Sequence, residues 1–271
     1  MDSVRIALVV CNAPFGRTRE NLAAVDAWAR RAQAAGARIV CFPELNVTGY
    51  SAGGQAAARA EPVPGPVTER LVETAARAGT VILAGVAEKG AGGRIFASHL
   101  AVAPHGLLGV YRKLHVSPKE KEAFTAGTQA PLFAAAGVRF GIQLCYDAHF
   151  PELSTRMATA GADVIFMPHA SPRGTADEKT SSWMRHLPAR AFDNGLFVAA
   201  CNQTGKNGTG LAFPGNAVVI GPDGRLLAEY DAGEEGLLVV DLAAEALTAV
   251  RSHPMRYFLP NRRPEVYAAD R

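Results

Sequence analysis

A chain of 271 residues, 48% apolar and 20% charged, carries enough material for a core of its own, which excludes a disordered or fibrous chain. Its net charge is +3 and its basic residues are scattered, so no cationic stripe offers itself to nucleic acid. No apolar run approaches a membrane span, and Cys11, Cys41, Cys145 and Cys201 form neither a CxxC pair nor a zinc-type cluster.

The first predicted element is a buried strand, Val4–Val10. It is too short for a signal peptide and carries Arg5, so a cytoplasmic protein without a disulfide framework is expected. A helix over Thr18–Ala35 ends at Gly36, and a strand follows over Arg38–Phe42. Ser51–Pro66 is the longest irregular stretch, of the kind found at site mouths. Next come a helix, Thr68–Ala78, and strands Val81–Ala87, Arg94–Ala103 and Leu107–Tyr111, the first two joined by a hairpin turn at Gly92-Gly93. A strand over Val138–Cys145 runs into a helix over Pro151–Ala160, with proline at its first position and Gly161 behind it. The remainder reads as strand Val164–Pro168, helix Ser181–Asn194, and strands Leu196–Cys201, Ala217–Ile220 and Leu237–Asp241. The turn Asp223-Gly224 lies between the last two. Near-continuous apolar strands alternating with helices predict an α/β fold with a mixed sheet or a pair of sheets. No linker splits the chain, so residues 1–271 are expected to form one domain.

Three positions carry chemistry. Cys145 ends an apolar strand just before a helix. It reads either as a small core residue or as a nucleophile lifted out of the core, where the positive end of a helix dipole favours thiolate. Glu44, directly after a strand and Pro43, is either a cap or a partly desolvated carboxylate with a raised pKa, suited to general base work. Lys113 is either half of a solvated pair with Arg112 or a cation able to hold an oxyanion. Strand alternation turns Arg112 and Lys113 to opposite faces.

Taken together, Cys41-Phe-Pro-Glu44 with Gly49-Tyr50, Tyr111-Arg-Lys113-Leu-His115 and Cys145-Tyr-Asp-Ala-His-Phe-Pro-Glu152 resemble the nitrilase (carbon–nitrogen hydrolase) superfamily. The likeness continues through Ala189–Asn194, Asn202, Gly221-Pro-Asp-Gly224 and Arg262-Arg263-Pro264-Glu265. The resemblance implies a four-layer α-β-β-α sandwich and a catalytic triad of Glu44, Lys113 and Cys145, with no metal or organic cofactor. It implies a second glutamate ahead of Phe124-Thr-Ala-Gly127, for which Glu120 fits the offset better than Glu122. His149 stands where many relatives carry arginine. Tyr50, Tyr146 and His169 are the expected substrate contacts: Tyr50 orienting Glu44 or substrate, Tyr146 through its backbone N–H, His169 from the end of a strand. The implied activity is hydrolysis of a small-molecule carboxamide through a thioester. N-carbamoyl hydrolysis is the alternative, and nitriles are disfavoured by Tyr146-Asp147 where true nitrilases usually carry Trp-Glu. The implied partners are the substrate and a second copy of the chain, the segment Arg251–Tyr267 reaching across a homodimer interface; no nucleic acid or membrane is expected.

Overall fold

Alternation along the strands decides which way each residue faces. In β1 (Val4–Val10), Ile6, Leu8 and Val10 enter one apolar cluster while Ala7 and Val9 enter another, so both faces are buried. The computed structural model describes residues 1–267. After β1 come α1 (Thr18–Ala34), β2 (Ile39–Cys41), α2 (Pro66–Ala78), β3 (Val81–Lys89), β4 (Ile95–Ala103) and β5 (Gly106–Arg112). The second half starts with β6 (Phe133–Ala135), β7 (Val138–Ile142), α3 (Pro151–Thr159), β8 (Val164–His169), α4 (Ala176–Trp183), α5 (Leu187–Phe192) and β9 (Phe197–Asn202). It closes with β10 (Thr204–Lys206), β11 (Ala212–Pro214), β12 (Ala217–Ile220), β13 (Leu226–Tyr230), β14 (Gly236–Leu242), α6 (Ala244–Arg251) and a last turn of helix, α7 (Pro264–Tyr267).

The strands form two six-stranded sheets, β14-β1-β2-β3-β4-β5 and β13-β12-β9-β8-β7-β6, with a short ribbon β10-β11. Each sheet has a parallel centre, β1-β2-β3 in one and β7-β8-β9 in the other, flanked by antiparallel strands. Val25, Trp28 and Ala29 of α1 and Leu71 and Ala75 of α2 cover the outer face of the first sheet. α5 packs on β9 and β12 of the second sheet, with α3 alongside it, and β1 meets β9 and β12 across the middle. The result is the four-layer α-β-β-α sandwich.

Two predicted elements need correction. The expected helix Ser181–Asn194 is two helices, α4 and α5, because the chain breaks after Trp183 and restarts with Pro188 in the first turn of α5. Thr175 starts α4 earlier than predicted through a reciprocal capping box with Glu178. The strand expected to reach Cys145 stops at Ile142, after which one last bond runs from the Gln143 N–H to the Phe166 carbonyl oxygen at 2.9 Å. The Asp223-Gly224 turn joins β12 to β13, a strand whose Leu-Leu-Ala-Glu-Tyr run has no period-2 alternation to mark it in the sequence.

Candidate active site

In sheets of this kind ligands gather beyond the carboxyl ends of the parallel strands. Glu44 follows β2 and is fully buried, its carboxylate accepting the Ala170 N–H at 3.1 Å. The next residue, Leu45, sits at φ 54°, a left-handed conformation costly for leucine. Gln203, beyond β9, donates its side-chain N–H to the Glu44 carbonyl oxygen at 2.8 Å and fixes the turn from the other sheet.

Lys113 follows β5 and is buried, its N–H bound to the Ala97 carbonyl at 2.9 Å. Arg112 points the other way and pairs with Glu88, as the alternation requires. The Lys113 ammonium donates to Glu44 Oε1 at 2.8 Å and to Glu120 Oε1 and Oε2 at 3.0 and 2.9 Å. Glu120 is thus the glutamate that meets Lys113, while Glu122 is exposed. Glu120 also accepts from the Tyr50 hydroxyl at 2.9 Å and the Ser117 N–H at 3.0 Å. Tyr50 therefore orients Glu120 and not Glu44, a correction to the sequence reading; its ring also lines the cavity described below.

Cys145 opens a single 3-10 turn, Cys145–His149, with φ 45°. As at Leu45, a non-glycine residue in this region stores strain of order 1–3 kcal/mol, which surrounding bonds must hold. Asp147 supplies them. Its buried carboxylate accepts from the Leu144 N–H at 3.0 Å, the Tyr111 hydroxyl at 2.7 Å and the His115 N–H at 2.8 Å, and meets His115 Nδ1 at 2.8 Å. The nucleophile's turn is thereby clamped to the residues on either side of Lys113. His115 also stacks on Phe150 with centroids 3.8 Å apart, so it belongs to this clamp.

Electrostatics separate the groups. Burial pushes Glu44 up to about 7, with Glu120 adding to the rise and Lys113 opposing it. For Glu120 burial pushes the same way, but its bonds from Lys113 and Ser117 outweigh it and hold the carboxyl below its usual range. Burial works against the Lys113 charge, yet the two glutamates keep its pKa well above normal. The Cys145 thiol is raised by burial and by Glu44, with Lys113 opposing. This corrects the expectation of a dipole-favoured thiolate: the 3-10 turn separates Cys145 from the start of α3, and the resting sulfur keeps its proton.

Cys145, Lys113, Glu120, Tyr50 and Tyr146 share one cavity of about 280 Å³ with Ala170–Arg173, Ser117, Lys119, Ala52 and Leu211. Ala52 comes from the irregular stretch after Tyr50 that was expected at the mouth. His169 is placed otherwise than expected. It is buried, its Nδ1 lies 2.7 Å from the Met167 carbonyl oxygen, and its ring packs on Trp183, while the neighbouring Ala170 forms the wall. Burial lowers its pKa to about 3, so it is neutral. Asn202 is likewise committed to structure, bridging Ser171 and Asn216. Sequence reasoning missed the clamp of Asp147 and the wall Ala170–Arg173; an aspartate two residues past the nucleophile and a Ser-Pro-Arg run past β8 were the available signals. Among the described residues no group of three His, Cys, Asp or Glu is disposed to hold a metal, and no helix is long and apolar enough to cross a membrane.

Comparison with known proteins agrees with this arrangement. An (R)-stereoselective amidase of Pseudomonas sp. is 32% identical over 214 residues, 79% of this chain and 76% of the relative. A nitrilase of Pyrococcus abyssi is 29% identical over 268 residues, 97% and 99% of the two chains. The amidase of Nesterenkonia sp. AN1, in a mutant with acrylamide added at its active-site cysteine, superposes with a TM-score of 0.85 at 31% identity, covering 97% of this chain and 98% of that one. The carbon–nitrogen hydrolase family model matches residues 5–252, so the chain belongs to the carbon–nitrogen hydrolase family.

Proposed function

We propose that the protein hydrolyses small carboxamides through a thioester on Cys145. The observation that carries this reading is the buried Glu44–Lys113–Glu120 cluster, whose Lys113 and Glu120 line one small cavity together with Cys145. Glu44, poised near neutrality, takes the thiol proton as Sγ attacks the carbonyl carbon. The oxyanion is held by the Lys113 ammonium and the Tyr146 N–H, each donor worth on the order of 10²–10³ in rate. As the carbon–nitrogen bond breaks, Glu44 returns the proton to nitrogen, and ammonia or an amine leaves. Glu44 then takes a proton from water, whose oxygen attacks the thioester; the carbon–sulfur bond breaks and the sulfur is reprotonated. Glu120 keeps Lys113 charged and in place throughout. The amidase names among the relatives support this reading. The test is kcat/KM for a matched amide, N-carbamoyl amine and nitrile. The amide is expected to be fastest, and a nitrile preferred about tenfold or more would overturn the assignment.

We propose further that the chain acts as a homodimer in the cytoplasm and forms a single domain. Four free cysteines suit a reducing compartment. Phe192 and Phe258 lie 5.4 Å apart on the surface with Met255 exposed nearby in sequence, an apolar face of the kind that pairs. Arg251 is tied to its own subunit through Gly195, Ala162 and Asp163, and Leu259 packs on the same core, so of the segment expected to reach across it is the exposed face at Met255 and Phe258 that would make the contact. Light scattering at micromolar concentration is expected to give twice the chain mass; a monomer would refute the pairing.

A further inference from the structure

The Tyr146 N–H belongs to a very short element. Cys145–His149 is a single 3-10 turn that opens at φ 45°, and a lone turn has too few internal bonds to keep its own shape. Upstream the chain is held by β7 and by the Gln143 N–H on the Phe166 carbonyl oxygen at 2.9 Å. Downstream it is held by another element. Arg190 of α5 donates from Nε to the Ala148 carbonyl oxygen at 3.0 Å and from Nη2 to the His149 carbonyl oxygen at 3.2 Å. At the start of α5, the His186 ring stacks on the His149 ring with centroids 4.6 Å apart. Cys145 and Tyr146 lie between these two holds. Tyr146 is in the cavity wall, and its N–H has no acceptor among the described residues, as expected of the first donors of a helical turn.

A guanidinium suits the downstream hold. Two carbonyl oxygens one peptide apart can both be met by its rigid planar fork, and a charged donor bonds more strongly than a neutral one. Arg190 is half-buried, which lowers its pKa; Asp193 and Glu152 oppose that shift, yet neither forms an ion pair with it among the described residues. Its charge is therefore committed to the nucleophile's turn and to no carboxylate. Asn194 steadies it from behind, its side-chain N–H donating to the Arg190 carbonyl oxygen at 2.9 Å.

We infer that Arg190 is a positioning residue for the oxyanion: by pinning the Ala148 and His149 carbonyls it aims the Tyr146 N–H at the point where the negative oxygen forms. This rests on the thioester reading of the same cavity. With the upstream chain fixed, rotation about ψ of Cys145 swings the Tyr146 N–H and leaves the sulfur where it is. Arg190 removes that rotation. A donor already aimed stabilises the developing charge without reorienting as it appears.

Two reactions of the same sulfur provide the test. Acylation by p-nitrophenyl acetate forms the sulfur–carbon bond, passes the thiol proton to Glu44, builds an oxyanion and expels nitrophenolate, so it needs the Tyr146 donor. Alkylation by iodoacetamide passes the same proton to Glu44 and displaces iodide at a saturated carbon, with no charge placed on oxygen. In Arg190→Ala, acylation is expected to slow about 10–100-fold, less than the roughly 10²–10³ for outright loss of an oxyanion donor, while alkylation stays within about twofold. An acylation-to-alkylation ratio equal to that of the wild type overturns the inference, because a turn that is merely loosened displaces the sulfur and slows both reactions alike. If Arg190→Ala does not fold, Arg190→Gln, neutral and without the fork, takes its place; a fall of about tenfold in the ratio is expected, and an unchanged ratio overturns the inference. A wild type acylated by the ester but inert to every carboxamide would defeat the amide assignment alone, and the ratio would still decide the role of Arg190. A wild type that the ester does not acylate at Cys145 overturns the inference together with the thioester reading beneath it.

Discussion

Glu44 and Glu120 grip the same ammonium from two sides, yet one is lifted to about 7 and the other is held below its usual range. Both are buried, so burial alone does not separate them. The difference is the number of donors aimed at each. Glu44 has one contact from Lys113 and the Ala170 N–H; Glu120 has two from Lys113, one from Tyr50 and one from Ser117. A carboxylate with few donors can exchange a proton near neutrality, and one saturated with donors is a fixed anion. The same side chain is thereby made a base in one place and an anchor in the other.

The sharpest break in that division comes from removing the sulfur it serves. Cys145→Ala is expected to keep the fold and lose turnover by on the order of 10⁶-fold. Intact-protein mass spectrometry with a slow amide should find an acyl adduct on the wild type only; turnover by the alanine variant would reassign the nucleophile. Glu44→Gln is next, with kcat/KM falling roughly 10²–10⁴-fold. Because Glu44 accepts the proton only when ionised, wild-type activity is expected above about pH 7 and lost as pH falls through that value. The glutamine variant's residual rate should lack this limb.

Glu120→Gln sharpens the contrast. The charge of Glu120 helps to raise Glu44, so its removal is expected to move the acidic limb of the pH–rate profile to lower pH. The rate itself should fall about 10–100-fold as Lys113 loses an anchor. An acidic limb that stays in place would show that the two carboxylates do not communicate. The smallest effect is expected from Tyr50→Phe, which deletes one donor to Glu120. A hydrogen bond to a charged group is worth about 1.5–3 kcal/mol when fully expressed. With other donors left on Glu120, kcat/KM should drop about tenfold or less, and a larger loss would assign Tyr50 a direct part in substrate binding.

Strands with buried apolar faces were readable from sequence because side-chain period and composition agree: β1 and β12 begin and end where predicted. β13, with Leu226 and Leu227 exposed, carries no such pattern, and the break between α4 and α5 hides inside one apparent amphipathic run. Glu44, Lys113 and Cys145 could be named from their positions after strands and their resemblance to a known pattern, and Glu120 from that resemblance alone. Their grouping about one ammonium depends on contacts between residues as far apart as 44 and 113. His169 shows the limit. A histidine just past a strand looks available for chemistry, but whether its ring meets the cavity or Trp183 is decided by packing that no local pattern encodes.

The Asp147 clasp has a mechanical consequence. It binds the turn of Cys145, on the second sheet, to Tyr111 and His115, on the first. Glu44 lies on the first sheet with Lys113, which grips it directly, so base and ammonium travel as a pair when one sheet slides over the other. The soft coordinate is their separation from the sulfur, bridged by the Asp147 clasp and by the Ala170 and Gln203 donors of the second sheet. A displacement of about 1 Å along such a coordinate can cost roughly 100-fold in rate. The site thus acts as a gauge of how the two halves are seated, and on heating its output is expected to decline before either sheet comes apart.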